Sequence, residues 1–93
     1  MNDKNYKIGK IGENKFLFSY NTNVCNIVRE NGEITIILGK KWDFSITTRK
    51  HIYKFLHDEL GLCVDGQILN NSIENGFLIG NHEINLYYDY EME

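Results

Sequence analysis

The sequence predicts an α+β fold: an antiparallel β-meander packed against one main α-helix, with further antiparallel strands at the carboxyl end. Three observations carry this. Apolar and polar residues alternate in short runs, the period of a half-buried strand. Asn31-Gly32 stands between two such runs, and this dipeptide suits a two-residue hairpin turn. Only one stretch has a clear helical period: Ile52, Phe55, Leu56 and Leu60 recur at three- and four-residue steps and so share one stripe of a helix.

The elements follow in order. Residues 1–5 are polar and expected to fray. Residues 6–11 read as a short strand, Gly12-Glu13-Asn14 as a turn, and residues 15–20 as a strand with Phe16, Phe18 and Tyr20 on one face and Leu17 and Ser19 on the other. Asn21-Thr22-Asn23 reads as a loop. Residues 24–29 are apolar on both faces, which places that strand centrally. After Asn31-Gly32, Ile34, Ile36 and Leu38 line one face of the next strand, with Thr35 and Ile37 opposite. Trp42 and Phe44 are expected to tie the approach to the helix onto the sheet.

The helix is expected to span roughly 12 residues, with Thr47 or Thr48 as its amino cap and Gly61 as a left-handed carboxyl cap onto which Leu62 folds back. A helix that short needs a packing partner. Beyond it, Asp65-Gly66 reads as a turn and residues 67–74 as an irregular strand. Asn75-Gly76 and Gly80-Asn81 read as further hairpin turns. In the last strand Ile84, Leu86, Tyr88 and Tyr90 oppose Asn85, Tyr87 and Asp89. No linker or repeat interrupts residues 1–93, so a single domain is expected.

Composition bounds the function. A chain of 93 residues that is 42% hydrophobic and 13% aromatic is a folded domain with a modest core. No apolar run is long enough to cross a membrane and no secretory signal is evident, so a cytoplasmic location is expected. Cys25 and Cys63 are far apart in sequence and read as reduced, buried thiols, with no metal-ligating cluster. A net charge of −3 argues against general nucleic-acid binding. No nucleophile has a base at a useful spacing, so no catalytic residue and no cofactor are expected.

Two constellations could bind a partner. At the amino end of the helix, free N–H groups and the helix dipole favour an anion. Thr47 and Thr48 add hydroxyls there, and Arg49, Lys50 and His51 add donors or positive charge that the helix itself disfavours unless an anion offsets it. Lys50, Lys54 and His57, at four- and three-residue steps, form a basic stripe beside Tyr53, an arrangement suited to a base and its phosphate. The bland alternative is a capped helix with a solvated basic face. The second constellation is the acidic, aromatic tail, where Tyr87, Asp89, Tyr90, Glu91 and Glu93 could form a partner surface; its bland alternative is a charged edge strand that discourages aggregation. Exposed strand edges also leave room for a homodimer.

Phe44-Ser45-Ile46-Thr47-Thr48-Arg49-Lys50-His51 followed by Phe55-Leu56 resembles a motif of small phage-encoded proteins, aromatic-Ser-x-Thr-Thr-x-Lys-His and then Phe-Leu. Phe18-Ser19-Tyr20-Asn21-Thr22 and Val24 are similar to the same group. The likeness covers residues 16–56 and leaves out the last third; Phe44 stands where the group has Tyr. The resemblance implies phage origin and an accessory role in the cytoplasm of an infected host. The role expected from it is non-enzymatic inhibition of a host antiviral defence, through a nucleotide-type anionic signal held by Thr47, Thr48 and Lys50. The alternative is an anti-CRISPR-like inhibitor that covers a basic surface of a host defence protein with its acidic tail.

Overall fold

In a computed structural model, which describes residues 4–92, the chain forms a six-stranded sheet with two helices. The strands are β1 (Tyr6–Ile11), β2 (Asn14–Ser19), β3 (Thr22–Glu30), β4 (Glu33–Gly39), β5 (Phe77–Leu78) and β6 (Asn81–Asp89). The helices are α1 (Ile46–Leu60) and α2 (Gly66–Asn75). The sheet order is β1-β2-β3-β4-β6-β5. The α+β class and the meander stand as expected.

Turn chemistry sets the meander. Asn31 and Gly32 both take positive φ, 54° and 82°, which matches the twist of the flanking strands. Pairing Ile27 with Ile36 and Cys25 with Leu38 then puts the core-facing residues of β3 and β4 in one row. On β2 the core face is Leu17 and Ser19, while Phe16 and Phe18 stay half-buried on the opposite side. Among the described residues no helix covers that opposite side.

The carboxyl-terminal third differs from expectation in three ways. Residues 66–75 are a helix, not an irregular strand. Asp65 is its amino cap, its carboxylate accepting from the Ile68 N–H at 2.9 Å, and Gly76 at φ 79° closes it, so Asp65-Gly66 starts a helix where a turn was expected and Asn75-Gly76 ends one where a hairpin turn was expected. The last strand joins the first sheet and lies parallel to β4, Ile36 beside Leu86. Parallel neighbours require a long crossover, and α1 and α2 supply it. The final hairpin turns at Ile79-Gly80, one residue earlier than expected, so that β5 and β6 are antiparallel.

The core lies between the sheet and the helices. Ile52, Phe55 and Leu56 from α1 and Leu69 from α2 meet Leu17, Cys25, Ile27, Ile36 and Leu38, all fully buried. Gly61 is in the left-handed region at φ 70°, and Leu62 donates back to the Leu56 carbonyl, as the helix-end pattern foretold. The helix is 15 residues long and its cap is Ser45, not Thr47 or Thr48. Trp42 is core, but Phe44 is 72% exposed and ties nothing to the sheet. Cys25 is buried; Cys63 is exposed, against expectation. Asn5 accepts the Tyr20 N–H, so the expected fraying does not extend to it; the rest of that expectation, for residues 1–3, lies outside the described residues. No helix among the described residues is long and apolar enough to cross a membrane.

Candidate functional site: a hydroxyl-floored cleft

Ser45 organises the start of α1. Its extended backbone ends the approach, and its Oγ accepts the Thr48 N–H at 3.1 Å. Capping from Ser45 places Thr48 inside the first turn, where it points at the sheet and is only 2% exposed. His51 follows one turn on and is also buried. Both meet Ser19 at the end of β2. The Ser19 Oγ lies 3.1 Å from the Thr48 Oγ1 and 2.7 Å from the His51 Nδ1. The Ser45 hydroxyl donates to the Thr48 Oγ1 at 3.2 Å. Three hydroxyls and one imidazole thus form a continuous chain, buried at Ser19, Thr48 and His51 and half-buried at Ser45.

Above this chain a cleft of about 230 Å³ opens, lined by Ser19, Tyr20, Thr22, Val24, Lys41, Phe44 and Thr48. Two aromatic side chains belong to it, Phe44 at 72% and Tyr20 at 48% exposure. The Lys41 Nζ sits 5.9 Å from the Phe44 ring centroid. Tyr20 and Asn21 form the β2–β3 turn with φ of 53° and 64°. Asn accepts the left-handed region readily, but a bulky residue there is strained by roughly 1–3 kcal/mol. That conformation holds the Tyr20 ring 6.1 Å from the His51 ring, over the cleft.

The seven residues expected to bind a ligand do not share one pocket. Thr48 alone lines the cleft. His51 lies behind it, bonded to Ser19. Arg49 and Tyr53 turn toward the start of α2, where the Tyr53 hydroxyl lies about 3.1 Å from the place of a Cβ on Gly66. Lys54 reaches over the Tyr6 ring at 5.4 Å and pairs with Asp58 at 2.6 Å, which with His57 holds the Asp58 carboxyl below its usual range. Thr47 and Lys50 face solvent. The physical reason is the cap: starting the helix at Ser45 puts Thr47 and Thr48 about 100° apart around the axis, so only one of them can point inward.

Ser19, Tyr20, Thr22, Val24, Lys41 and Phe44 were missed as site residues. Periodicity assigns them to strands, turns and the helix approach and cannot bring residues 19–24 against residues 41–48. Of the tail residues, Tyr87 and Tyr90 are exposed and Asp89 is half-buried, its carboxylate accepting the Glu91 N–H. Glu93 lies outside the described residues.

No curated protein and no solved structure matches this chain. A family model of unknown function, DUF8033, matches residues 1–71. The matched span holds every residue of the cleft and all of α1, and it stops before β5 and β6. The chain therefore belongs to the DUF8033 family, a family of unknown function.

Proposed function

We propose that this chain is a non-enzymatic binding module whose cleft takes a small anionic ring compound of the nucleotide type. The observation that carries the reading is the pairing of two exposed aromatic side chains, Tyr20 and Phe44, over a floor of hydroxyls with Lys41 at the rim. Aromatic rings left in water are available for stacking, worth about 1–3 kcal/mol per base. Lys41 supplies a positive charge for a phosphate, and Ser19, Thr22 and Thr48 supply short polar contacts. A cleft of about 230 Å³ is smaller than the ~300–1,000 Å³ of ordinary ligand pockets, so it suits one ring with a short substituent better than a whole dinucleotide. The strained Tyr20 fits the same reading, because such strain concentrates at binding sites. By its resemblance to small phage proteins, the module would act in an infected cell by sequestering a nucleotide signal of host defence.

The test is calorimetric titration of the chain with mononucleotides and cyclic dinucleotides. The Lys41→Ala and Phe44→Ala variants should each weaken binding about tenfold or more, with stability changed by no more than about 0.5 kcal/mol, as for other exposed positions. No heat of binding at millimolar ligand rejects the reading.

A second reading has its own observation. Tyr87 and Tyr90 are 57% and 67% exposed, and among the described residues the register of β5 on β6 runs no further than Asn85, with the Leu86 N–H donating to the Gly76 carbonyl, so Tyr87–Asp89 lie beyond the β5 pairing. In this reading the tail covers a basic surface of a host defence protein. A Tyr87→Ala, Asp89→Lys double variant should then weaken a salt-sensitive complex; a complex indifferent to both salt and variant rejects it.

A further inference from the structure

The hydroxyl chain behind the cleft, buried from Thr48 to His51, permits a count of hydrogens. It has three contacts: Ser45 to Thr48, Thr48 to Ser19, and Ser19 to the His51 Nδ1. Each contact uses one hydrogen. When the Nδ1 is bare, the three hydroxyl hydrogens of Ser45, Thr48 and Ser19 fill all three contacts, each pointing toward His51. The cleft floor then offers only lone pairs. When the Nδ1 carries a proton, that proton fills the Ser19 contact. Two hydroxyl hydrogens suffice for the other two, and one is released. With Ser45 donating to Thr48, the released hydrogen belongs to Ser19 or Thr48, the two chain members that line the cleft, and is a donor available there.

We propose that the cleft is a proton-coupled anion site, in which protonation of His51 is relayed through Ser19 and Thr48 into a hydroxyl donor on the cleft floor. The inference rests on the reading of the cleft as an anion site and adds its regulation. An oxyanion of phosphate or carboxylate type is favoured when the Nδ1 is protonated, and a ligand hydrogen-bond donor when it is bare. By reciprocity, an anion on the floor draws a proton onto His51. Among the described residues, the titratable and charged groups near His51 include Tyr6 from β1, edge-on at 5.4 Å, Tyr20 from the β2–β3 turn, and from its own helix Lys54, which lies over the Tyr6 ring with its partner Asp58. Of the side-chain types in this set, only histidine ordinarily changes charge between about pH 5 and pH 8.

The probe is sulfate, which keeps one charge state across that range, titrated by calorimetry at about pH 5.5 and about pH 8. A hydrogen bond to a charged group is worth enough that wild type should bind about tenfold more tightly at the lower pH. Simple attraction to a charged imidazole would also favour low pH, so Ser19→Ala is the discriminating variant: it keeps His51 and removes the relay. Its pH ratio should fall to less than half that of wild type. Long-range nitrogen NMR of the wild-type chain gives a second readout, which stands even if the variant does not fold. Added sulfate should shift the His51 Nδ1 to its protonated position at a pH where the free chain shows it bare. Sulfate binding with no pH dependence, or a Ser19→Ala chain with the full wild-type ratio, overturns the relay and leaves the cleft reading intact. So does nucleotide binding without sulfate binding. Failure of both ligands overturns the two together.

Discussion

The helical assignment of residues 66–75 has a sharp test in Leu69. Its side chain is fully buried and is the one apolar residue of α2 that is; Ile68 and Ile73 are only half-covered. Truncation in Leu69→Ala removes the buried branched methyls and leaves a cavity, which costs about 2–5 kcal/mol in cores of this kind. Because α2 is an outer element that can settle toward β5 and β6, a value near 3 kcal/mol is expected. For a domain of this length each kcal/mol moves the midpoint by about 4–8 °C. The variant should therefore melt about 12–24 °C below wild type in a circular-dichroism scan, with the same loss from urea titration. The companion variant is Asn70→Ala, at the exposed neighbouring position. In a helix, Asn to Ala gains up to roughly 0.6 kcal/mol. In a strand the exchange is close to neutral, because Asn and Ala are both disfavoured there, so a clear gain marks the helix. A loss below about 1 kcal/mol for Leu69→Ala, or a destabilised Asn70→Ala, would refute both the helix and the packing described for it.

Three further outcomes follow from the same structure. Native protein should react with a bulky thiol reagent at Cys63 alone, since burial removes Cys25 from reach and pushes its thiol well above the ordinary range; reaction at both thiols before unfolding contradicts the core. The Tyr6 hydroxyl, pushed up to about 12 by burial and then by Asp58 and Glu59, should hold its proton while the unfolded chain ionises near 10. Because the folded value is the higher one, this stabilisation is complete below about pH 10 and disappears as pH rises to about 12; ultraviolet titration of wild type against Tyr6→Phe measures it. Lys15 and Glu59, 2.9 Å apart and largely shielded, tie β2 to α1, and a double-mutant cycle should return a coupling of up to about 1 kcal/mol.

The meander and α1 were legible because their signals are local. Asn31-Gly32 states a turn by itself, and Ile52, Phe55, Leu56 and Leu60 state a helical face by themselves. The second helix also carried its period: Ile68, Leu69, Ser72 and Ile73 lie at helical spacing between Asp65 and Gly76. Three Asn residues at 70, 71 and 75 lowered its apparent propensity, and a buried Ser took the place where an apolar residue would have completed the stripe. That Ser72 is placed for hydrogen bonding: its hydroxyl donates to the Ile68 carbonyl at 2.7 Å and accepts the Ile79 N–H at 2.9 Å, joining α2 to the last hairpin. The parallel placement of β6 beside β4 was not legible at all, because nothing local to residues 81–89 names its neighbour.

The site was half legible for a related reason. The polar positions of the helix start were recognisable as unusual, but a list of residues along a helix is a ring of directions, and the cap decides which of them point inward. Moving the cap to Ser45 turned Thr48 and His51 toward Ser19 and sent Thr47 and Lys50 to solvent. The stretch around Ser19 and Tyr20 supplies the opposing wall. Two segments whose contacting residues, Ser19 and Thr48, are 29 positions apart in sequence thus carry one constellation, since the last residue of β2 and the first turn of α1 meet at the same end of the sheet. A substitution there has two separable effects. Loss of the Ser45 hydroxyl should cost a helix cap, about 1 kcal/mol of stability, and also the first hydrogen of the chain that ends at His51. Loss of Phe44 should cost neither, and only weaken what the cleft holds. If Ser45→Ala and Phe44→Ala prove alike in both stability and binding, the cap and the cleft are not the distinct layers described here.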